Sequence, residues 1–147
     1  MSNAPTLEDG SERTQVVRGI EDYAAREIGL DNVITADDMT RLLVALVQGR
    51  LAGPEATAAC EQTLQAQEYR NGIPAGLPAD VTVGNKTGWI DGVAHDVALV
   101  RPDDRPDYVL TVCTSADVDE GTLYDLNAAI SAAAWDAWDD AGAGRSA

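Results

Sequence analysis

Residues 81–100 read VTVGNKTGWIDGVAHDVALV, and this stretch decides the architecture of the chain. Val81 and Val83 alternate with Thr82 and Gly84, the period-two pattern of a strand with one buried face. Asp91-Gly92 signals a hairpin, because a two-residue turn of the primed types needs positive φ. Val93 to Val100 then reads as a second strand. Beyond the polar turn RPDDRPD, Tyr108 to Thr114 (YVLTVCT) is β-branched and apolar enough for a third, buried strand. Short connections between consecutive strands imply a three-stranded antiparallel meander. An open edge on so apolar a third strand would be a hazard, so the sequence predicts that something pairs with it.

Upstream, the apolar period is that of helices. Val16, Val17, Ile20, Ala24 and Ile28 recur in steps of three and four, which predicts an amphipathic helix from Thr14 to near Gly29, with Gly19 inside it. Thr35 reads as an N-cap with Asp38 as its capping-box partner. Met39, Leu42, Leu43, Leu46 and Val47 form the apolar stripe of the helix that follows, and Gly49 ends it. Pro54 suits a first helical position, opening a helix from Glu55 to about Gln67 that carries Ala59, Cys60 and Leu64 inward. Residues 70–80, RNGIPAGLPAD, are turn chemistry. After the strands, Asp119 to Asp139 predicts a long helix with Leu123, Leu126, Ile130, Ala134 and Trp138 on the face that lies across the sheet. Trp135 neighbours that stripe and reads, like Trp138, as packing. Helices, then a sheet, then a C-terminal helix packed on it make an α+β chain. A length of 147 residues suits one domain, placed at 14–140, with 1–13 a flexible lead-in and 141–147 a tail.

The formal net charge is −15, from 25 acidic and 10 basic side chains. Aspartate dominates, 17 against 8 Glu, and the bases are nine Arg and one lysine, Lys86; the only histidine is His95. Such a surface repels phosphates, which excludes nucleic acid as a partner. No apolar run approaches the ~18 residues of a membrane span. The start MSNAPTLEDGSERT lacks the basic and apolar regions of a secretory signal, which would leave a chain expressed as it stands in the cytoplasm. Two distant cysteines, Cys60 and Cys113, and one histidine give neither a disulfide scaffold nor a metal cluster, so no metal and no cofactor are expected. An Asp-rich, Lys-poor surface fits a host with high internal salt; a high genomic GC content accounts for it as well.

Within the opening stretch, Lys86-Thr87-Gly88-Trp89 sets the single lysine at the end of a strand. The ammonium supplies fixed positive charge to a pocket, and the threonine hydroxyl can donate to a carboxylate. The glycine lets a ligand approach the strand edge, and the N–H after it can face a developing oxyanion. Three letters alone are a weak motif. Here they stand among Asn32-Val-Ile-Thr-Ala-Asp-Asp-Met39, Leu46-Val-Gln-Gly49, Gln67 with Ile73-Pro-Ala-Gly-Leu-Pro78, and Gly92-Val-Ala-His-Asp96. With the Tyr108–Thr114 strand and the final helix, these segments have the order and spacing in which the chain resembles the C-terminal portion of class A β-lactamases and related serine hydrolases, over roughly residues 14–140.

The resemblance implies a β-lactamase/transpeptidase-like fold and the hydrolysis of a β-lactam, or a related amide or ester, through an acyl-serine. It implies a role for Lys86 in proton transfer and electrostatics, for Thr87 on the substrate carboxylate, and for Gly88 in keeping the strand edge open. Trp89 would give its backbone N–H to the oxyanion hole, and His95 would be the basic residue facing the substrate carboxylate. Arg18 would stand at the neck of an Ω-loop with Asn32 as its partner, and Glu21 or Asp22 falls where class A enzymes hold a deacylation glutamate. That loop conflicts with the helix predicted from periodicity over the same residues. Taken on their own, His95 and Asp96 also read as a structural hydrogen-bonding pair, and Glu21 and Asp22 as solvated charges. Tyr69-Arg70-Asn71 looks like a variant of the family's second signature, but it follows the Ω-like segment and reads as a turn.

S-x-x-K needs a serine three residues before a lysine, and Val83 holds that place before Lys86; S-D-N is absent too. The chain therefore reads as a C-terminal portion that is inactive alone. A separate N-terminal portion would bring the nucleophile and lay its opening strand beside the open third strand. The alternative is a non-catalytic binding module that keeps the K-T-G pocket for carboxylate-bearing ligands, or pairs through its open edge with a partner strand or a second copy.

Overall fold

A computed structural model describes the backbone of residues 13–143 and the side chains of 13–138. The lead-in expected over 1–13 lies, but for Arg13, outside the described residues, as do the last four positions of the tail. Three strands, β1 (Thr82–Ile90), β2 (Val93–Arg101) and β3 (Tyr108–Ser115), form one antiparallel sheet in the order β1-β2-β3, the predicted meander. The first hairpin closes at Ile90↔Val93 around Asp91-Gly92, where Gly92 takes φ +72, the left-handed region that glycine enters without steric cost. β1 runs past the motif, so Lys86 sits at its middle and not at its end.

Alternation then sorts the side chains. Asn85, Thr87 and Trp89 fall on one face of β1, and Lys86, Gly88 and Ile90 on the other. Register carries this across the sheet: Thr87↔Asp96↔Val112 form a row on the first face, Gly88↔His95↔Cys113 on the second.

The first face is covered by the C-terminal helix and by a 3₁₀ turn, Ile73–Gly76. Ile73, Val83, Ala98, Val100 and Val112 are the buried core there, with Trp135 packed against it. The helix, the fourth, runs Glu120–Ala143, so residues 141–143 continue it and are not tail. Its inner face differs from the predicted stripe. Tyr124, Asn127 and Ser131 are buried with Leu123, while Leu126, Ile130 and Trp138 are exposed. The sheet face beneath carries the buried polar side chains Asn85, Thr87 and Asp96, so polar and small residues face it. They let the backbone come close: a Cβ on Gly76 would stand 2.0 Å from the Ala128 carbonyl oxygen.

The second face is covered by α2 (Ala36–Val47) and α3 (Pro54–Gln65). Thr35 caps α2 as expected, accepting from the Asp38 N–H at 3.1 Å. The other end closes on Gly49, φ +67, with Gly49 N–H to Leu46 O and Arg50 N–H to Ala45 O both at 2.9 Å, the paired bonds of a Schellman cap. In α3 the expectation fails in part, since Ala59 and Cys60 are exposed and Thr57 is the buried residue. The C-terminal half of α3 meets the sheet, with Leu64 and Gln65 against Gly84 and Glu61 paired to Arg101 at 2.9 Å. Both cysteines are free.

The helix predicted over 14–28 does not form. Only α1 (Tyr23–Glu27) is helical, ended at Gly29 with φ +85, and Val16, Ile20 and Ile28 are exposed. The stripe lacked a surface to bury against, and the N–H groups of Val17 and Arg18 bond to the Asn32 side chain instead of to a helical carbonyl. The loop implied by the family resemblance prevails.

Candidate active site

The loop is closed at its neck. Gln15 and Val33 exchange two backbone hydrogen bonds of 2.9 and 3.0 Å. Asn32 Oδ1 accepts from Val17 and Arg18 at 2.9 and 3.1 Å, and its Nδ2 donates to the Arg18 carbonyl at 3.2 Å. Asn32 is thus a partner of the Arg18 backbone, while the guanidinium pairs with Asp31, Nε to Oδ1 at 2.9 Å. That bond holds the Asp31 carboxyl below its ordinary pKa. The far side of the neck hangs on buried Asp38, whose carboxylate accepts from the Thr14 hydroxyl at 2.8 Å and the Arg13 N–H at 3.2 Å. These bonds, Thr14 foremost, lower the Asp38 pKa. The segment between these ends is a surface loop that is closed at its neck and leaves its apolar side chains exposed.

Between this loop and the second face of the sheet lies a cavity of about 490 Å³. The sheet supplies Lys86, Gly88 and Ile90 from β1, Val93, His95 and Val97 from β2, and Thr111 and Cys113 from β3. Val33, Ile34 and Met39 form the opposite wall, and Arg18, Asp31 and Asn32 stand at the neck. Lys86 Nζ donates to the Thr87 carbonyl. A Cβ on Gly88 would meet nothing within 4 Å, so the missing side chain leaves open space at the cavity wall.

His95 is turned toward β3, where its Nδ1 accepts from the Thr114 N–H at 3.2 Å. Burial lowers its pKa below 6.5, and the accepted bond requires an unprotonated Nδ1. At neutral pH this residue offers an Nε2–H donor and no charge. The pair with Asp96 does not form, because neighbours on a strand point to opposite faces. Asp96 is 1% exposed, and its oxygens accept from the Ile73 N–H at 2.8 Å and Asn85 Nδ2 at 3.1 Å. Burial pushes its pKa up against those bonds. Asn85 Nδ2 also donates to the Tyr69 carbonyl at 3.1 Å, so one buried carboxylate joins β1, β2 and the segment 69–73 directly beneath the K-T-G strand.

Thr87 is buried on this first face. Its hydroxyl lies beside that of Tyr124, whose pKa burial pushes up to about 12, and neither oxygen has a partner in normal hydrogen-bond geometry. Trp89 closes the row, half-exposed, with its backbone on the outer strand of the sheet. Glu21 and Asp22 are both exposed and outside the cavity wall; Asp22 caps α1, accepting from the Ala25 N–H at 3.0 Å.

The cavity therefore unites Lys86, Gly88, His95, Arg18 and Asn32, and Thr87 and Trp89 also reach its lining. Sequence reasoning missed Asp31 and Cys113. Asp31 was signalled by its place beside Asn32, and Cys113 by facing His95 once the hairpin register is counted. Among the described residues no group of three or more His, Cys, Asp or Glu could hold a metal ion. The lining sets Lys86 and the Arg18–Asp31 pair among mostly apolar walls.

The family model of the β-lactamase enzyme family matches residues 3–138. Several solved structures are similar. PBP-A shares 21% identity over 90% of this chain and 48% of its own, at TM-score 0.80. A β-lactamase from Sphaerobacter thermophilus shares 24% over 86% and 47%, at TM-score 0.74. The class A β-lactamase of the last common ancestor of Gram-negative bacteria shares 26% over 88% and 51%, at TM-score 0.75. The chain spans about half the length of each. Among curated proteins none matches.

Proposed function

This chain belongs to the β-lactamase enzyme family, and on that premise we propose that it supplies the K-T-G half of a serine acyl-transfer site for a β-lactam or a related carboxylate-bearing amide or ester. The observation that carries the reading is the convergence of Lys86, Gly88, His95 and the Arg18 neck on one cavity. In this reading the substrate carboxylate lies against the Lys86 ammonium, with the His95 Nε2–H as a further donor; the Thr87 hydroxyl, buried on the opposite face beside Tyr124, takes no part. The scissile carbonyl lies along β1, where the Trp89 N–H faces the oxyanion as it forms. A serine oxygen attacks that carbonyl, the C–N or C–O bond breaks as the leaving atom takes a proton, and water then hydrolyses the acyl-serine. These 147 residues hold no S-x-x-K, so the serine would come from a segment outside them. Glu21 and Asp22, being outside the cavity wall, are poorly placed for deacylation.

The chain alone is expected neither to hydrolyse a chromogenic cephalosporin nor to gain mass on incubation with penicillin. Adding a segment that carries S-x-x-K should restore turnover, and Lys86→Ala should abolish it. A stoichiometric penicillin adduct on the chain alone would sink this reading. The missing S-x-x-K and S-D-N favour a second one, a binding module without catalysis. That reading wins if the recombined complex is inactive while Lys86→Ala lowers ligand affinity.

A further inference from the structure

Beside the K-T-G strand, three aromatic rings step from the interior to the surface. Tyr124, on the C-terminal helix, is 2% exposed. Trp89 packs edge-on to it at 6.4 Å between centroids, and Tyr69 lies 4.8 Å beyond Trp89. The outer two rings are 39% and 54% exposed. Aromatic side chains carry large apolar areas that stability alone would bury.

This pair is also held in place from behind. The Tyr69 carbonyl takes a hydrogen from buried Asn85, and the Ile73 N–H is fixed by buried Asp96. Gly72 between them has no room for a Cβ, which would stand 2.5 Å from Asp96 Oδ2 and 3.2 Å from the Tyr124 ring. A segment so pinned loses little freedom when a ligand arrives, which is the requirement for a preorganised contact.

We infer that Tyr69 and Trp89 form an aromatic shelf that selects ligands bearing a planar aromatic group beside their carboxylate; this rests on the carboxylate reading of the Lys86 cavity. The spacing sets the ligand. Along a strand rising ~3.3 Å per residue, Trp89 lies ~10 Å from Lys86. A ligand lying along the free edge of β1 straddles both faces of the strand, so its carboxylate meets Lys86 while its ring lies on the Tyr69–Trp89 pair. The shelf has no part in bond breaking; it is a specificity element.

The test is equilibrium binding to the full chain, by tryptophan fluorescence and calorimetry, of benzylpenicillin against 6-aminopenicillanic acid. The two share a bicyclic ring system and carboxylate, and the second lacks the aromatic acyl group. Benzylpenicillin is expected to bind at least about tenfold more tightly and to quench the emission. Tyr69→Ala should reduce that preference to about twofold or less with the affinity for 6-aminopenicillanic acid unchanged, and Tyr69→Phe should keep it. Equal binding of the two compounds to the wild type overturns the shelf and leaves the carboxylate cavity standing. Failure of both to bind overturns the cavity reading and the shelf with it. A preference that survives Tyr69→Ala, or a variant that loses both ligands together, also overturns the assignment.

Discussion

At position 88 a side chain would project from β1 into empty space on the cavity side. Gly88→Val adds a strand-compatible residue without a clash, so its melting temperature should stay within about 2 °C of the wild type. The same isopropyl group would occupy the space beside Lys86 and His95, and affinity for a carboxylate ligand should fall more than about tenfold. A variant that melts normally and binds normally would show that the ligand lies elsewhere. His95 illustrates a limit on reading a residue by type. As a letter it promises a cation beside the substrate; in place, its burial and the Thr114 N–H on Nδ1 make it a neutral donor.

The elements separate into those written locally and those decided by packing. α2 was legible because its cap at Thr35, its stripe and its Gly49 stop are all short-range signals. The hairpin was legible from Asp91-Gly92 for the same reason. The loop over 16–31 was illegible to periodicity, because the bonds from Val17 and Arg18 to Asn32 and Asp31 span 13 to 15 residues in sequence. The inner face of the C-terminal helix was also hidden, since it answers to polar groups on strands far away in the chain. Loop and sheet should respond oppositely to acid. Asp31 and Asp38 have lowered pKa values, so the stability they contribute is present above the ordinary value of 3.8 and is lost as pH falls through the lower, folded one. Asp96 is raised, so its contribution is full below 3.8 and is lost as pH rises through its folded value. Between about pH 6 and pH 3, exchange of the Gln15 and Val33 amides, corrected for intrinsic rate, should therefore accelerate while the amides of β2 stay protected. Simultaneous loss of both would contradict this division.

For the whole molecule, a net charge of −15 opposes compaction. Raising KCl from about 0.1 to 1 M shortens the screening length from ~10 to ~3 Å and should raise the melting temperature by several degrees; an unchanged value would mean the charge is not limiting. The fold class and most of the cavity were readable at this scale because register and alternation follow from one hairpin. The described sheet has two unpaired sides, β1 with the K-T-G strand and β3 with its apolar run, held apart by β2. Adjacent strands lie ~4.8 Å apart, so these sides are ~10 Å from one another across the sheet. The two can therefore be addressed independently. A short strand-forming peptide matched to β3 would cap that side while leaving the Lys86 side free. Such a cap would let a binding measurement separate the contribution of one side of the sheet from that of the other.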